Sequence, residues 1–237
     1  MIFSRNYRTV WHDTDYLRRV RPGQLLVYMQ ETSGEHMKAY GRSLDALRDE
    51  KGLAFLLSKI SLAIYAPLYA YEDIEVQTWT CPSRGFASNR DFRILRGNEV
   101  IAEAESIWAL VDLANGKLCR GDAAEYAFED EAPLALPLPS RFRFPEGTEP
   151  AVIGTRRIVY SDLDYNGHMN NTHYPDMLCD FLPTEVHGNV RGMTLSYLHE
   201  AALGDTITLL GVQRDDTYYI RTHNESGKVC LEAQILV

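Results

Sequence analysis

Three polar side chains that could do chemistry alternate within the stretch "DLDYNGHMNN" (162–171). Asp164, Asn166 and His168 stand at i, i+2 and i+4, a spacing that places all three on one side of an extended segment. An amide and an imidazole on one face are suited to binding a developing oxyanion and to handling a proton. The other interpretation is that the Asp and Asn side chains make turn hydrogen bonds or cap the next helix, which we favour for Asn170 and Asn171.

Hydrolytic chemistry also needs a group that deprotonates water, and the stretch "YLHEA" (197–201) offers one. Its pattern predicts a β-strand in which His199 and Glu200 point to opposite faces. A carboxylate inside a mostly apolar strand is desolvated, and desolvation makes it a stronger base. The alternative for Glu200 is an exposed position on an edge strand.

Length and composition limit the scaffold that carries these residues. The chain has 237 residues, 45% hydrophobic and 24% charged, as expected for one large globular domain or two small ones. No apolar run approaches the ~20 residues that span a bilayer, and the first residues lack the layout of a signal peptide. Four scattered cysteines without a CxxC pair favour a reducing cytoplasm over a disulfide scaffold or a zinc site. We therefore expect a cytoplasmic protein that does not associate with membranes. The cysteines are Cys81, Cys119, Cys179 and Cys230.

The net charge of −9 argues against broad nucleic-acid binding. An acidic partner would need a local basic patch on this acidic chain. The stretch "RRVR" provides a candidate patch in Arg18, Arg19 and Arg21. The alternative is a solvated turn before a helix.

Two similar units flank a proline-rich segment. Residues 121–150 hold five of the ten prolines and read as a partly extended linker between residues 1–120 and 151–237. "VWHDTDYLRRV" (10–20) aligns with "VYSDLDYNGHM" (159–169) at a constant offset of 149, with Val, both Asp and the Tyr coinciding. The pattern indicates a tandem repeat.

Each repeat predicts one helix followed by antiparallel strands. In the first, apolar residues recur every three or four positions between Pro22 and Gly41, which are typical helix-start and helix-end residues. In the second, Tyr174, Met177, Leu178 and Phe181 repeat the pattern before Pro183. Four β-type runs follow each helix, and "RGNE" and "ESGK" are typical of hairpin turns. The fold class is α+β, with a helix packed on an antiparallel sheet, written twice.

The repeats differ at the polar set. At the offset of 149, Leu17 stands opposite Asn166 and Arg19 opposite His168. Only the second repeat therefore carries the complete set, and we expect the first repeat to be non-catalytic.

Several motifs resemble the acyl-ACP thioesterase family, whose members hydrolyse acyl carrier protein (ACP) thioesters at the end of fatty-acid biosynthesis. "YSDLDYNGHMNNTHY" resembles the family's W-S-D-L-D-x-N-x-H-x-N-N-x-x-Y, and "YMQETSGEHM" resembles its L-Q-E-T-x-x-N-H helix. "PLYAYEDIEVQTW", "SNRDFRI", "AEAESIWALVD" and "GKLCR" resemble the strands that follow. The resemblance implies a tandem hotdog fold, two antiparallel sheets each wrapped around a long central helix.

The resemblance assigns catalytic roles to Asp164, Asn166, His168 and Glu200. The chain departs from the family's Y-R-R-E-C motif, because His199 replaces an Arg and Ala201 replaces the Cys. A cysteine nucleophile at that position is therefore excluded. Cys179 is separated from His168 by eleven residues of predicted helix, about 16 Å at 1.5 Å per residue. We expect water attack without a covalent intermediate.

The expected mechanism uses Glu200 as general base and His168 to position the water or share its proton. Asn166, with amides at the helix start, would bind the thioester oxygen, and Asp164 would orient Asn166. The resemblance places the acyl chain along the first repeat's helix. The candidates there, for which core packing is an equal alternative, are Leu26, Met29, Ser33 and Met37.

The expected partner is ACP bearing a phosphopantetheine-linked fatty acyl chain, met by Arg18, Arg19 or Arg21. Neither a metal nor an organic cofactor is expected, since the acyl donor brings its own arm. A homodimer is left open. Two other functions stay open as well: an acyl-CoA thioesterase of the same superfamily, and a non-catalytic acyl-ligand sensor, for which no basic DNA-binding stretch is visible.

Overall fold

The computed structural model describes residues 1–126, 128–139, 141–145, 147 and 149–237. These residues divide into two compact units. The first unit comprises Met1–Ile60 and Ile64–Pro137, and the second comprises Ser61–Ala63 and Leu138–Val237. The repeat boundaries at residues 120 and 150 stay a prediction.

The first unit pairs a long helix with an antiparallel sheet in the order β1-β3-β4-β5-β2, with β6 on β5. A second, short helix, α2, was not predicted from the sequence. The elements are β1 (Phe3–Arg8), α1 (Pro22–Ala39), α2 (Leu44–Lys51), β2 (Leu53–Ile64), β3 (Asp73–Cys81), β4 (Ala87–Arg96), β5 (Glu99–Asp112) and β6 (Lys117–Cys119).

Helix α1 forms where the sequence predicts it. Pro22 occupies its first turn, and Gly41 follows its end with φ +102°, in the left-handed region that glycine adopts most readily. Its buried face includes Leu25, Leu26 and Met29 and packs on β3 and β1. Burial of that face on the sheet stabilises the helix more than intrinsic propensity does.

The second unit repeats this plan with a shorter helix. Its strands are hydrogen-bonded in the order β8-β11-β10-β9-β7. The elements are β7 (Ala151–Arg157), α3 (His173–Asp180), β8 (Gly192–Tyr197), β9 (Thr206–Arg214), β10 (Thr217–His223) and β11 (Val229–Leu236). Helix α3 has eight residues against eighteen in α1, and it buries Tyr174, Met177 and Leu178.

Both predicted hairpin turns are present. "RGNE" joins β4 to β5 around Gly97 (φ +59°), and "ESGK" joins β10 to β11 around Gly227 (φ +77°). Positive φ at these two glycines lets each tight turn reverse the chain without a Cβ clash. The antiparallel meander that positions the site is therefore read correctly from the sequence.

The proline-rich linker is irregular. Among its described residues, none after Glu125 and before Ala151 lies in a helix or strand; Ala127, Ser140, Glu146 and Thr148 lie outside the described residues. Its first half lies on the first unit, where the Trp79 indole N–H donates to the carbonyl of Ala132 (3.2 Å) and Asp91 accepts from the amide of Leu134 (2.7 Å).

No helix within the described ranges is long and apolar enough to cross a membrane.

Candidate active site

The catalytic stretch predicted from sequence is a tight reversal. After a single 3-10 turn at Tyr160–Asp162, the amide of Asp164 donates to the carbonyl of His168 (2.9 Å). The amide of Gly167 donates to the carbonyl of Asp164 (3.0 Å), and Gly167 has φ +81°. The expectation that residues 164, 166 and 168 alternate along an extended segment is therefore wrong.

The side chain of Asp164 fills the inside of this reversal. Its Oδ1 accepts from the amides of Asn166 (2.8 Å) and His168 (3.5 Å), and its Oδ2 accepts from Asn166 Nδ2 (3.3 Å). The three predicted residues do meet, but through the Asp164 carboxylate and not through strand alternation. Asp164 thus contacts the Asn166 side-chain amide, and its role in orienting that amide for catalysis stays a prediction.

His168 pairs with the predicted base across the site. Its Nε2 lies 3.2 Å from Glu200 Oε2, with the two side chains 35% and 61% exposed. Glu200 lies beyond the end of β8 and is exposed, so the expectation of a carboxylate desolvated inside a strand is wrong. Contact with an imidazole, and not burial, distinguishes this carboxylate.

A bulge at the end of β8 brings Glu200 to His168. The amides of Leu198 (2.8 Å) and His199 (3.2 Å) both donate to the carbonyl of Cys230, which ends regular pairing and bends the chain. His199 then turns toward the start of β11, with Nδ1 2.8 Å from the carbonyl of Val229. His199 and Glu200 thus diverge because of the bulge, not because they lie on opposite faces of a strand.

Two further carboxylates fix the surrounding loops, and the sequence reading missed their roles. Asp162 is buried; its Oδ1 lies 2.5 Å from Arg156 Nη2, and its Oδ2 accepts from the amide of Val159 (2.9 Å). Asp205 Oδ2 accepts from the amide of Ala202 (2.9 Å), the residue that bridges to His168. An Asp whose side chain accepts a nearby main-chain amide is a common turn signal, and it was available at both positions.

The start of α3 differs from the prediction. The helix begins at His173 with Thr172 as N-cap, so neither Asn170 nor Asn171 caps it. Asn170 Oδ1 accepts from the amide of Thr172 (3.0 Å), and the amide of His173 donates to the carbonyl of Asn170 (3.0 Å). These two amides are already bonded, so they do not form the oxyanion site that we expected at the helix start.

Two of the four cysteines are placed unfavourably for a nucleophile. Cys81 and Cys230 are buried, and burial raises the pKa of both thiols. Ala201, at the family's Cys position, is also buried. The helical spacing used for Cys179 is wrong in detail, because α3 begins only at His173. Attack by water in place of a thiol stays a prediction.

Three of the four predicted acyl-chain residues lie in the core. Leu26, Met29 and Met37 are buried on α1, and Ser33 is half-buried. Their burial accords with the alternative named for them, and their place along an acyl channel stays a prediction.

The arginines of "RRVR" differ in availability. Arg21 donates from Nη2 to the carbonyl of His12 (3.2 Å) and from Nε to that of Asp13 (3.4 Å), so it holds its own loop. Arg18 is exposed and Arg19 half-buried. A contact with ACP stays a prediction for all three, and Arg18 is the most accessible.

The part of the chain that the structure describes contains no set of side chains arranged as metal ligands. No group of three or more His, Cys, Asp or Glu side chains there is arranged to hold an ion.

Family models match both units of this chain. The acyl-ACP thioesterase N-terminal domain matches residues 1–123, and the acyl-ACP thioesterase C-terminal domain matches residues 150–235. The chain belongs to the acyl-ACP thioesterase family. Asn166, His168 and Glu200 all lie within the part matched by the C-terminal domain.

Curated relatives are distant in sequence. A chloroplastic acyl-[acyl-carrier-protein] hydrolase of Cuphea viscosissima is 24% identical over 217 residues, covering 84% of this chain and 52% of its own length. A chloroplastic oleoyl-acyl carrier protein thioesterase of Arabidopsis thaliana is 25% identical over 235 residues, covering 84% and 63%. The chain spans about half the length of the first of these relatives.

Solved structures confirm the tandem hotdog fold class. An acyl-ACP thioesterase from Bacteroides thetaiotaomicron has a TM-score of 0.86 at 22% identity and covers 99% of this chain and 97% of its own. The 12:0-ACP thioesterase from Umbellularia californica has a TM-score of 0.83 at 18% identity, covering 99% and 96%. At these identities the likeness is one of fold.

Proposed function

We propose that this protein hydrolyses fatty acyl-ACP thioesters to free fatty acid and holo-ACP. The observation that carries the proposal is the 3.2 Å contact between His168 and Glu200, in a chain of this family. The Asn166 amide lies in the same turn as His168, where Asp164 holds it. A carboxylate paired with an imidazole can take a proton from water, and a fixed amide can stabilise an oxyanion.

The steps follow from the groups present. Glu200 accepts a proton as the water oxygen bonds to the thioester carbon, while His168 holds the water or shares its proton. The Asn166 side-chain amide binds the carbonyl oxygen as it becomes negative. The C–S bond then breaks, and the proton is returned to the leaving thiolate of the phosphopantetheine arm. The fatty acid and the carrier thiol are the products.

Because Glu200 is exposed, its strength as a base should depend on whether substrate covers it. With 61% of its side chain open to solvent, Glu200 is well hydrated before substrate binds. An acyl chain and pantetheine arm laid over the pair would displace that water and strengthen the carboxylate as a base. A substrate that covers the site poorly should therefore lose kcat as well as affinity.

The proposed partner is the acidic carrier protein. This chain is itself acidic, so a local positive charge has to offset long-range repulsion, and Arg18 is the exposed candidate. Exposed charge pairs weaken as salt shortens the Debye length from ~10 Å at 0.1 M. KM for acyl-ACP should rise with salt, while KM for the matching acyl-CoA should change less.

The deciding experiment is thiol release from matched ACP and CoA thioesters of several chain lengths, each at two salt concentrations. Faster turnover of the ACP series, with KM rising with salt, supports the proposal. Faster turnover of the CoA series identifies an acyl-CoA thioesterase. Binding of acyl-ACP without thiol release identifies an acyl-ligand-binding protein.

We further propose a cytoplasmic location, on the strength of the four free cysteines.

A further inference from the structure

Two chain segments carry the proposed catalytic pair, one with His168 and the other with Glu200. A main-chain hydrogen bond joins them, from the amide of Met169 to the carbonyl of Ala201 (2.9 Å). A second bond comes from a side chain, because the Tyr197 hydroxyl donates to the carbonyl of Asn171 (2.9 Å). Tyr197 precedes Glu200 by three residues and Asn171 follows His168 by three, so both bonds act close to the pair.

The second bond is well supported by packing. The Tyr197 ring meets the buried Tyr174 ring edge-on, with ring centroids 5.5 Å apart. Burial raises the pKa of Tyr197 well above its ordinary value, and Tyr174 adds to the effect. The hydroxyl therefore keeps its proton at any working pH and acts as a permanent donor. A half-buried ring that packs edge-on against Tyr174 is restrained from rotating, so the hydroxyl is held toward the Asn171 carbonyl.

The first unit lacks this link. Its main-chain bond is the same, from the amide of Val20 to the carbonyl of Leu68 (2.8 Å). Its bulge is also the same, since the amides of Tyr65 and Ala66 both donate to the carbonyl of Ile101. Matching the two bulges places Ile64 at the position of Tyr197.

The helix side of the link changes as well. At the offset of 149, Tyr174 corresponds to Leu25 and Asn171 to Pro22. Ile64 and Leu25 have no hydroxyl to donate. The unit without the catalytic set thus keeps the shared main-chain bond and has apolar residues where the other has two tyrosines.

We infer that Tyr197 is a positioning residue, whose bond to the Asn171 carbonyl sets the distance between His168 and Glu200. This inference rests on the proposed function for its kinetic consequence. Its structural consequence, the geometry of the His168–Glu200 contact, does not depend on which substrate is cleaved.

The test is Tyr197→Phe, which keeps the ring on Tyr174 and removes only the hydroxyl. Small displacements of reacting groups lower kcat, and we expect a loss of about tenfold with KM unchanged. In a Glu200→Gln background the same change should cost almost nothing, because the pair it positions is already broken. The matched control is Tyr7→Phe, which deletes a hydroxyl bonded to Thr32 (3.0 Å) in the first unit and should leave kcat intact.

A spectroscopic readout separates this inference from the proposed function. The imidazole resonances of His168, followed in ¹H–¹⁵N spectra, should shift in Tyr197→Phe and in Glu200→Gln, and the two shifts should not add. Tyr197→Ile, which installs the residue of the first unit, provides a second variant should the Phe form fold poorly.

The outcomes are distinct. Unchanged His168 resonances in folded Tyr197 variants, or equal kcat losses with and without Glu200, would overturn the inference. Shifted resonances in a protein that cleaves no thioester would uphold the inference and end the proposed function.

Discussion

The two turns at residues 11–21 and 160–170 have the same backbone conformation. In both, a Val amide donates to an Asp side chain three residues later, at 2.6 Å for Val10 and 2.9 Å for Val159. In both, a second Asp closes the reversal, since the amide of Asp15 donates to the carbonyl of Arg19 (2.8 Å), as that of Asp164 does to His168. Even the left-handed residue coincides, with φ +66° at Arg18 and +81° at Gly167.

The comparison separates architecture from chemistry. Asp15 Oδ1 accepts from the amides of Leu17 (2.8 Å) and Arg19 (3.0 Å), the same main-chain positions that Asp164 serves. An interaction present in both turns cannot by itself account for activity in one. The carboxylate of Asp164 therefore stabilises the loop, and in the proposed mechanism it would affect the chemistry only through Asn166.

The residues that could account for activity in only one turn are those that differ between the two units. Leu17 and Arg19 replace Asn166 and His168, and matching the bulges places Pro67 where the second unit has Glu200. The first turn therefore lacks the proposed base, its imidazole partner and the amide. We expect all catalysis to depend on the second turn, and the following experiments test that division.

Removing the base should have the largest effect. Glu200→Gln keeps the shape of the side chain but cannot take a proton from water, so kcat for thiol release should fall by about a thousandfold. Glu225→Gln, in an exposed turn of the same unit, is the matched control and should leave kcat unchanged. A Glu200→Gln enzyme that keeps a tenth of its turnover would mean that another group is the base.

The second-largest loss of kcat should come from replacing the polar side chains that only the second turn carries. His168→Ala or Asn166→Ala should lower kcat by about a hundredfold, the scale for losing one acid–base partner or one oxyanion donor. Arg19→Leu, at the position that matches His168, should leave the chemical step intact. Stopped-flow or steady-state thiol release measures all three. Equal losses in the two units would show that the site draws on both turns.

These two turns show which features of the fold and site can be predicted from the sequence. The offset of 149 and the identities of Asn166, His168 and Glu200 were visible in the residues, because duplication leaves the loop signals in place and changes the reactive side chains. The helix α1 and the hairpins at Gly97 and Gly227 were likewise predicted correctly, since their signals are local.

Geometry that depends on tertiary hydrogen bonds was read wrongly. Alternating polar residues suggested an extended segment, yet Gly167 and the Asp164 side chain close a reversal. The sequence pattern predicted that Glu200 continues a strand. Instead the amides of Leu198 and His199 both donate to the carbonyl of Cys230, 30 positions after Glu200, and end the strand before it. Period-2 patterns cannot reveal a bulge whose partner lies on a distant strand.

Stability measurements can sharpen the division further. Asp15→Ala and Asp164→Ala each remove a carboxylate that accepts two main-chain amides, so each should lower the free energy of unfolding by about 1 kcal/mol. Only Asp164→Ala should also lower kcat, by about tenfold, because Asn166 loses its orientation. Urea unfolding and thiol release measure the two quantities. Intact kcat in folded Asp164→Ala would remove Asp164 from the mechanism.

The smallest effect should come from the cysteines, which compare the two units once more. Cys81 in the first unit and Cys230 in the second are both buried, and burial raises the pKa of each thiol, which disfavours a thiolate nucleophile. Cys230 is the more informative, since its Sγ lies 3.9 Å from the carbonyl of Glu200. Cys230→Ala should match Cys81→Ala in kcat, within a few-fold of the parent, with stability losses of ~1–3 kcal/mol for each.

The variant that lacks all four cysteines completes this test, with Cys119 and Cys179 changed to Ser. It should also turn over within a few-fold of the parent once its lower stability is allowed for, because in the proposed mechanism water and not sulfur attacks the thioester carbon. Mass spectrometry of the parent enzyme during turnover should accordingly find no acyl group on the protein. An acyl-cysteine, or a folded cysteine-free enzyme without activity, would replace the water mechanism by a covalent one. Loss confined to Cys230→Ala would place the nucleophile directly beneath Glu200.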